Sequence, residues 1–421
     1  MSTISTDSIG KFSKRFLWGA STSAHQVEGG LHNQWTVWEL ENAKSLATRA
    51  PYQFGDLQNW PHIAKDAKNP NNYVSGRAAD HFNRFEEDFD ILSKLNMNAF
   101  RFGIEWARVE PSEGVWDASA IDHYRKYLKA LKARGITPVV TLFHFTLPVW
   151  FAEKGGFEKR RNVKYFLRFV QKVLEELGGD IKWIITINEP TVYVSESYFI
   201  GNWVPNKTSK LLGIMVLNNL IVAHKKIYRL TKRDRHWQVS MAHHLSHFYA
   251  GDNAWLSRLS AWVADLVANR YVLARVKRHS DFIGLNYYFS YRIYGYRVHN
   301  PGEHQSDLGW DIQPAHLQYV LEDLSRRYDL PIMVTENGLA DASDEQRKWW
   351  ITESINGMNQ AMKNGTKLIG YLHWSLLDNF EWDKGFWPKF GLIAVDRRTM
   401  KRTVRPSAKW YGAVVHKLNS K

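Results

Sequence analysis

Eight short apolar runs, separated by amphipathic helical segments, set the narrowest limit on what this sequence can fold into. They fall at 16–20, 98–102, 137–144, 183–188, 238–243, 281–288, 331–336 and 368–374. The intervening stretches include helical patterns at 81–95, 120–133, 163–177 and 211–230. Alternating strands and helices require parallel pairing with helical crossovers, and eight such units close into a barrel rather than an open sheet. No Pro/Ser/Gly linker or internal repeat interrupts the series. Residues 1–421 are therefore predicted to form one α/β domain, a (β/α)8 TIM barrel with elaborated βα loops at its C-terminal face. Gly135 and Gly178-Gly179 stand where helices are expected to end. The stretch 43–76 reads as irregular, a long βα loop over the barrel mouth.

Two of the eight runs end in a carboxylate. Ile332-Met333-Val334-Thr335 leads into Glu336, and Asn337-Gly338 is predicted to turn the backbone away. Trp183 to Asn188 leads into Glu189, and Pro190 lacks the N–H needed to continue a ladder. All strands of a barrel open on one mouth, so the two glutamates are predicted to meet there. A single strand-end glutamate more often caps its strand or pairs with an arginine. Two facing one cleft are the working parts of glycoside hydrolysis. The other strand ends add polar and aromatic groups. Gln26, in Ala24-His25-Gln26-Val27-Glu28-Gly29-Gly30, offers a donor and an acceptor suited to a pair of sugar hydroxyls. Arg101, in an otherwise apolar strand, needs an anionic partner that a carboxylate at the mouth would supply.

Composition narrows the remaining classes. With no Cys, disulfides, thiolate nucleophiles and zinc ribbons are excluded. Nineteen Trp suit a cleft in which indoles stack on the C–H faces of sugars, although large cores also collect Trp. The formal charge of +14 raises a nucleic acid or an anionic surface as partner. However, the Lys and Arg interleave with 42 acidic residues and no nucleic-acid-binding signature accompanies them, so the charge reads as solvated surface. The first residues lack an apolar signal region and no run is long enough to span a bilayer. The expectation is a cytoplasmic protein with neither nucleic acid nor membrane as partner. His243-His244-x-x-His247 lacks the glutamate of a zincin motif, so no metal is predicted there.

Taken together, Gln26-Val27-Glu28-Gly29, Thr186-Ile187-Asn188-Glu189-Pro190, Asn286-Tyr287-Tyr288, Thr335-Glu336-Asn337-Gly338 and the stretch from Trp374 to Trp382 resemble the family-one glycoside hydrolases, the β-glucosidase group. The likeness runs from about Phe16 to Trp410 with the motifs in the family's order. It implies a barrel that hydrolyses β-glycosides with retention and without metal or organic cofactor. Glu189 matches the acid/base position and Glu336 the nucleophile. The counterparts of Gln26, His144, Asn188, Glu381 and Trp382 bind the sugar. Arg101, Asn286 and Tyr288 match residues that position or stabilise the nucleophile, and Trp374 matches a platform beneath the sugar. In such a site Glu336 is expected to stay ionised beside Arg101 and Tyr288, its charge holding Glu189 protonated until the glycosyl ester forms.

Glu381 stands where relatives acting on phosphorylated sugars generally lack a glutamate, which favours a neutral hexoside: glucoside first, then galactoside and fucoside. Glu189 excludes the thioglucosidase variant, which has Gln there. The rival readings are a 6-phospho-β-glycosidase, a non-catalytic sugar-binding barrel and, last, a nucleic-acid-binding protein. The segment 244–280 is shorter than the family's usual insertion. Within it Trp255, Leu256, Leu259, Trp262, Val263, Leu266 and Val267 form an apolar stripe at helical spacing, for which packing on the barrel is the default expectation. Tyr271, Val272, Ala274 and Val276 follow, flanked by Arg270, Arg275, Lys277 and Arg278. If the shortened segment left a gap at 255–278, it would be apolar, rimmed by cations and suited to a flat anionic molecule.

Overall fold

The eight predicted strands close on themselves in a computed structural model that describes residues 12–232 and 236–419. They are β1 (Leu17–Ser21), β2 (Ala99–Gly103), β3 (Thr137–Thr141), β4 (Trp183–Asn188), β5 (Gln238–His244), β6 (Ile283–Tyr287), β7 (Ile332–Asn337) and β8 (Leu368–Trp374). Each is parallel to its neighbours, and β8 pairs with β1 to complete the ring. Leu17, Ala99, Val139, Ile185, Ala242, Phe282, Met333 and Leu372, one from each strand or its approach, form a separate apolar cluster that fills the barrel interior. The larger core, which reaches from Phe12 to Leu418, lies between the strands and the surrounding helices.

The helices follow their apolar spacing. Helix Val163–Leu177 buries Val163, Phe166, Phe169, Val170, Val173, Leu174 and Leu177, a stripe at three- and four-residue intervals. Helix Ala118–Ala133 starts on Asp117, whose carboxylate accepts from the Ser119 and Ala120 amides. Gly135 adopts φ +68°, as its place after that helix requires. Gly178 also stands at a helix end, as the C-cap of Val163–Leu177, but without a positive φ. Its backbone stays helical, and a side chain there would meet the Trp237 indole at 2.8 Å.

The stretch 43–76 corrects the sequence reading. It does lie beside the mouth, but helix Gln34–Phe54 runs into it, followed by helix Trp60–Ala67 and a 3-10 turn at Pro70–Tyr73. The prolines concealed this. Pro51 falls in the last turn of the first helix, and Pro61 occupies the first turn of the second, where a missing N–H costs nothing. Asn33 and Thr36 open the first helix with reciprocal capping bonds. Phe54, Ala50, Ile63 and Ala67 then pack on Trp387.

Candidate active site

Both strand-end glutamates reach the same cleft, and a backbone irregularity takes each of them there. In β7, Met333 points into the barrel and Val334 into the outer core. Strict alternation would send residue 336 outward. The pairing register slips between Val334 and Glu336, and this turns Glu336 inward while Asn337 faces the helices. There Asn337 accepts hydrogen bonds from the Trp350 indole (3.0 Å) and the Tyr371 hydroxyl (2.9 Å). The register of β4 slips in the same way between Ile185 and Asn188. Glu189 follows at φ +39° as the N-cap of a short helix whose first residue is Pro190. Gly338 makes no left-handed turn. It is small because a Cβ would sit 1.7 Å from the Trp374 carbonyl oxygen.

Arg101 finds the anion its position demanded. Its guanidinium donates to Glu336 Oε1 at 2.5 Å, to Asn188 Oδ1 at 2.7 Å and to Thr141 Oγ1 at 3.0 Å. The Tyr288 hydroxyl donates to the other Glu336 oxygen at 2.6 Å. Asn286 ties Glu189 to the strand that carries Glu336. Its amide donates to Glu189 Oε1 at 2.8 Å, and its carbonyl accepts from the Thr335 hydroxyl at 2.6 Å. Burial pushes the Glu336 carboxyl up to about 7; the Arg101 charge and the Tyr288 hydrogen bond oppose this, and the Glu189 charge adds to it. The sequence reading named only the two stabilising partners and did not include desolvation.

A cleft of about 390 Å³ opens above the pair, lined by His144, Glu189, Tyr288, Glu336, Trp374, Glu381 and Trp382 among others. The His144 ring stacks against Trp374 (5.9 Å between centroids) and Trp382 (6.0 Å). Burial and then Arg101 hold its imidazole well below the usual range, so it is neutral. Glu381 accepts from Asn379 at 2.8 Å and from Gln26 at 3.3 Å, and Gln26 also donates to the Phe380 carbonyl. Burial raises the Glu381 carboxyl to about 8, with the Glu336 and Asp383 charges adding to the rise. Asn188 lies beneath the cleft, 3.1 Å from both Asn286 and His144. All eleven predicted site residues therefore converge: seven at the cleft wall and Gln26, Arg101, Asn188 and Asn286 behind it or under it.

The sequence reading missed His244. Its Nδ1 lies 3.6 Å from Glu189 Oε1, and its ring stacks on Tyr288. The signal in the sequence is the His-His pair at the end of β5, which by spacing alone points to a metal motif rather than to a carboxylate partner. The three histidines part company: His243 is buried beside His224, His244 enters the cleft, and His247 lines a different cavity. Trp310, whose ring edge meets Tyr288, also lines the cleft and belongs to no motif noted in the sequence.

That second cavity, about 440 Å³, lies between helix Trp255–Asp265 and helix Leu317–Arg327. It is the gap considered for 255–278, with a different lining. Phe248, Trp262 and Leu273 share it with Asp265 and Asp323, which form ion pairs with Arg270 and Arg327. The apolar stripe does not pack on the barrel. The helix holds on through Ser257 and Ala261 and turns its large apolar residues to solvent.

Comparison with known proteins agrees with this architecture. The model of glycosyl hydrolase family 1 matches residues 8–266 and 249–420, two spans that overlap after β5. β-Glucosidase A of Thermotoga maritima is 28% identical over an alignment covering 97% of this chain and 98% of that protein. The structure of a β-glycosidase from Pyrococcus horikoshii superposes with a TM-score of 0.85 at 31% identity, covering 97% of this chain and 95% of that one. A T. maritima β-glucosidase bound to glucoimidazole gives 0.83 at 25% identity, covering 97% and 99%. A match along nearly the whole chain, joined to two buried glutamates facing one cleft, places this protein in glycosyl hydrolase family 1.

Proposed function

We propose that the protein is an exo-acting, retaining β-glycosidase of neutral hexosides, taking glucosides first and galactosides and fucosides close behind. The observation that carries this reading is the unequal setting of the two carboxyls. Glu336 is held from both oxygens by Arg101 and Tyr288, as an attacking group must be, whereas Glu189 faces the cleft beside Asn286 and His244. Glu336 attacks the anomeric carbon as its bond to the leaving oxygen breaks, and Glu189 gives its proton to that oxygen. The glycosyl ester removes the Glu336 charge. The Glu189 carboxylate then takes a proton from water, the water oxygen attacks the anomeric carbon, and Glu336 leaves as the free carboxylate. Two inversions return the starting configuration. Glu381, bonded by Gln26 and Asn379, occupies the place a sugar's distal hydroxyls would reach and disfavours a phosphate. The relatives named as β-glucosidases support the choice of glucose.

The test is kinetic. Glu336→Ala should abolish turnover of an aryl β-glucoside, and azide should restore part of it as the inverted glycosyl azide. Glu189→Ala should slow poor leaving groups by about a thousandfold or more while sparing activated aryl ones. Equal losses on every leaving group would reverse or remove these roles. A preference for 6-phospho-β-glucoside would overturn the neutral hexoside, and the absence of any turnover would leave a sugar-binding barrel.

A further inference from the structure

The helical segment that follows β5 is amphipathic in the reverse sense. Trp255, Leu259, Trp262, Val263, Leu266 and Val267 are 41–73% exposed, yet the Ser257 hydroxyl on the inner side accepts from the Gly295 amide at 2.7 Å. Asn269 ties the next turn down by donating to the Ser246 carbonyl at 2.8 Å. A helix free to choose would bury the apolar face. This one is anchored by its small and polar face, and the apolar one is held outward.

The same surface collects the charge. Segment 207–232 has six Lys and Arg and no acid, and segment 251–300 has seven against three Asp, so the two carry ten of the chain's fourteen net positive charges. They are also neighbours: the Tyr271 hydroxyl meets Asn218 at 3.3 Å. One turn before Asn218, Ile214 and Met215 are exposed, and Leu211 more so. Beyond the apolar ridge, Arg275, Lys277 and Arg278 are exposed in succession. The sequence reading took the charge as scattered over solvated surface. In three dimensions part of it lies beside the ridge: Arg258 is exposed on the ridge helix itself, and exposed Arg297 is two residues from Gly295, which bonds Ser257.

We infer that this face docks on an anionic lipid bilayer, the apolar ridge entering the headgroup layer and the neighbouring exposed cations pairing with lipid phosphates. Tryptophan and aliphatic residues along one exposed helix, bordered by Lys and Arg, are the composition that lies in a membrane interface. No span is required, and among the described residues no helix is long and apolar enough to cross. Charge argues against the other occupants. A second copy meeting this face through a two-fold axis would bring like-charged segments together. A nucleic acid would answer the cations and leave the aliphatic ridge in water. The docked face also adjoins the cleft: Phe248, under the helix, stacks on Tyr291 of the cleft wall at 5.0 Å.

The experiment is sedimentation of the full chain with vesicles, either pure phosphatidylcholine or three parts phosphatidylcholine to one part phosphatidylglycerol. The mixed vesicles should carry the protein down at low salt, and the neutral ones should carry little. The triple variant Trp255→Ser, Leu259→Ser, Trp262→Ser should lose at least about tenfold in partitioning, as should Arg275→Glu, Lys277→Glu, Arg278→Glu. Both variants should hydrolyse a soluble aryl β-glucoside as the parent does, which separates failure here from failure of the catalytic reading. The inference is overturned if the active parent stays in the supernatant or if the serine variant binds as well as the parent. It is also overturned if the parent sediments as a dimer that the serine variant disperses and neither binds vesicles.

Discussion

Arg101 and Tyr288 work against the burial that surrounds Glu336, and the balance should be visible in the pH dependence of the reaction. The nucleophile must be ionised, and with its carboxyl near 7 in the free site, kcat/KM should fall about tenfold per unit on the acid side of that value. Tyr288→Phe removes a hydrogen bond that favours the charged form. Its acid limb should therefore move to higher pH, with activity at pH 6 down on the order of tenfold while the alkaline side holds. A variant that loses activity equally at all pH values would show that Tyr288 orients substrate rather than the carboxylate. At this scale most of the site could be read before the fold was known, because a strand-end Glu, a lone Arg in an apolar run and an Asn-Glu-Pro sequence each require a particular neighbour. His244 could not. Its role comes from lying 3.6 Å from Glu189, and that proximity joins β5 to β4 across a register slip that no spacing in the sequence announces.

Between elements, the least expected bonds join the chain's distant parts. Arg402, in the C-terminal strand Arg402–Val404, holds Asp88 of helix His81–Lys94 through two hydrogen bonds of 2.9 Å, and His81 adds a third at 2.7 Å. The carboxylate and the guanidinium are both buried, so removing one strands the other. Asp88→Asn should cost about 3 kcal/mol of stability, measured by denaturant unfolding, with hydrolysis at 25 °C unchanged. Asp88→Leu combined with Arg402→Met should recover much of that loss, because no uncompensated charge remains. Strand and helix positions were legible from periodicity. Three kinds of element were not. The slips in β4 and β7 leave no mark on alternation because the residues leading into them, 183–185 and 332–334, are apolar on both faces. The helices Gln34–Phe54 and Trp60–Ala67 were hidden by Pro51 and Pro61, which they accommodate in a last and a first turn. The stripe at Trp255–Val267 had the right period, but period alone does not say which side of a helix meets the barrel; Ser257, Ala261 and Asn269 decide that.

For the molecule as a whole, the cleft is a standing cost that depends on pH. Glu336 and Glu381 are both buried, with carboxyls near 7 and 8 against 4.5 for an unperturbed glutamate. The sign follows from proton counts. Between pH 4.5 and 8 the folded chain keeps protons on these groups that the unfolded chain releases, so their contribution to stability is complete below about 4.5 and is lost as pH rises through 7 and then 8. Above that the folded state carries two desolvated charges. Glu381→Gln should therefore raise the melting temperature at pH 9 by several degrees, on the order of 3 kcal/mol, and change little at pH 5. An equal change at both pH values would assign the effect to the bonds with Asn379 and Gln26 rather than to ionisation. Glu336→Gln should behave alike at lower pH, since its carboxyl titrates first. The two should not add. The Glu336 charge is one of the causes that raise Glu381, so removing either eases the other, and the double variant should gain less than the sum. That shortfall, read from four melting curves at pH 9 (parent, two single variants and the double), measures how strongly the nucleophile and the sugar-binding carboxyl feel each other across the cleft.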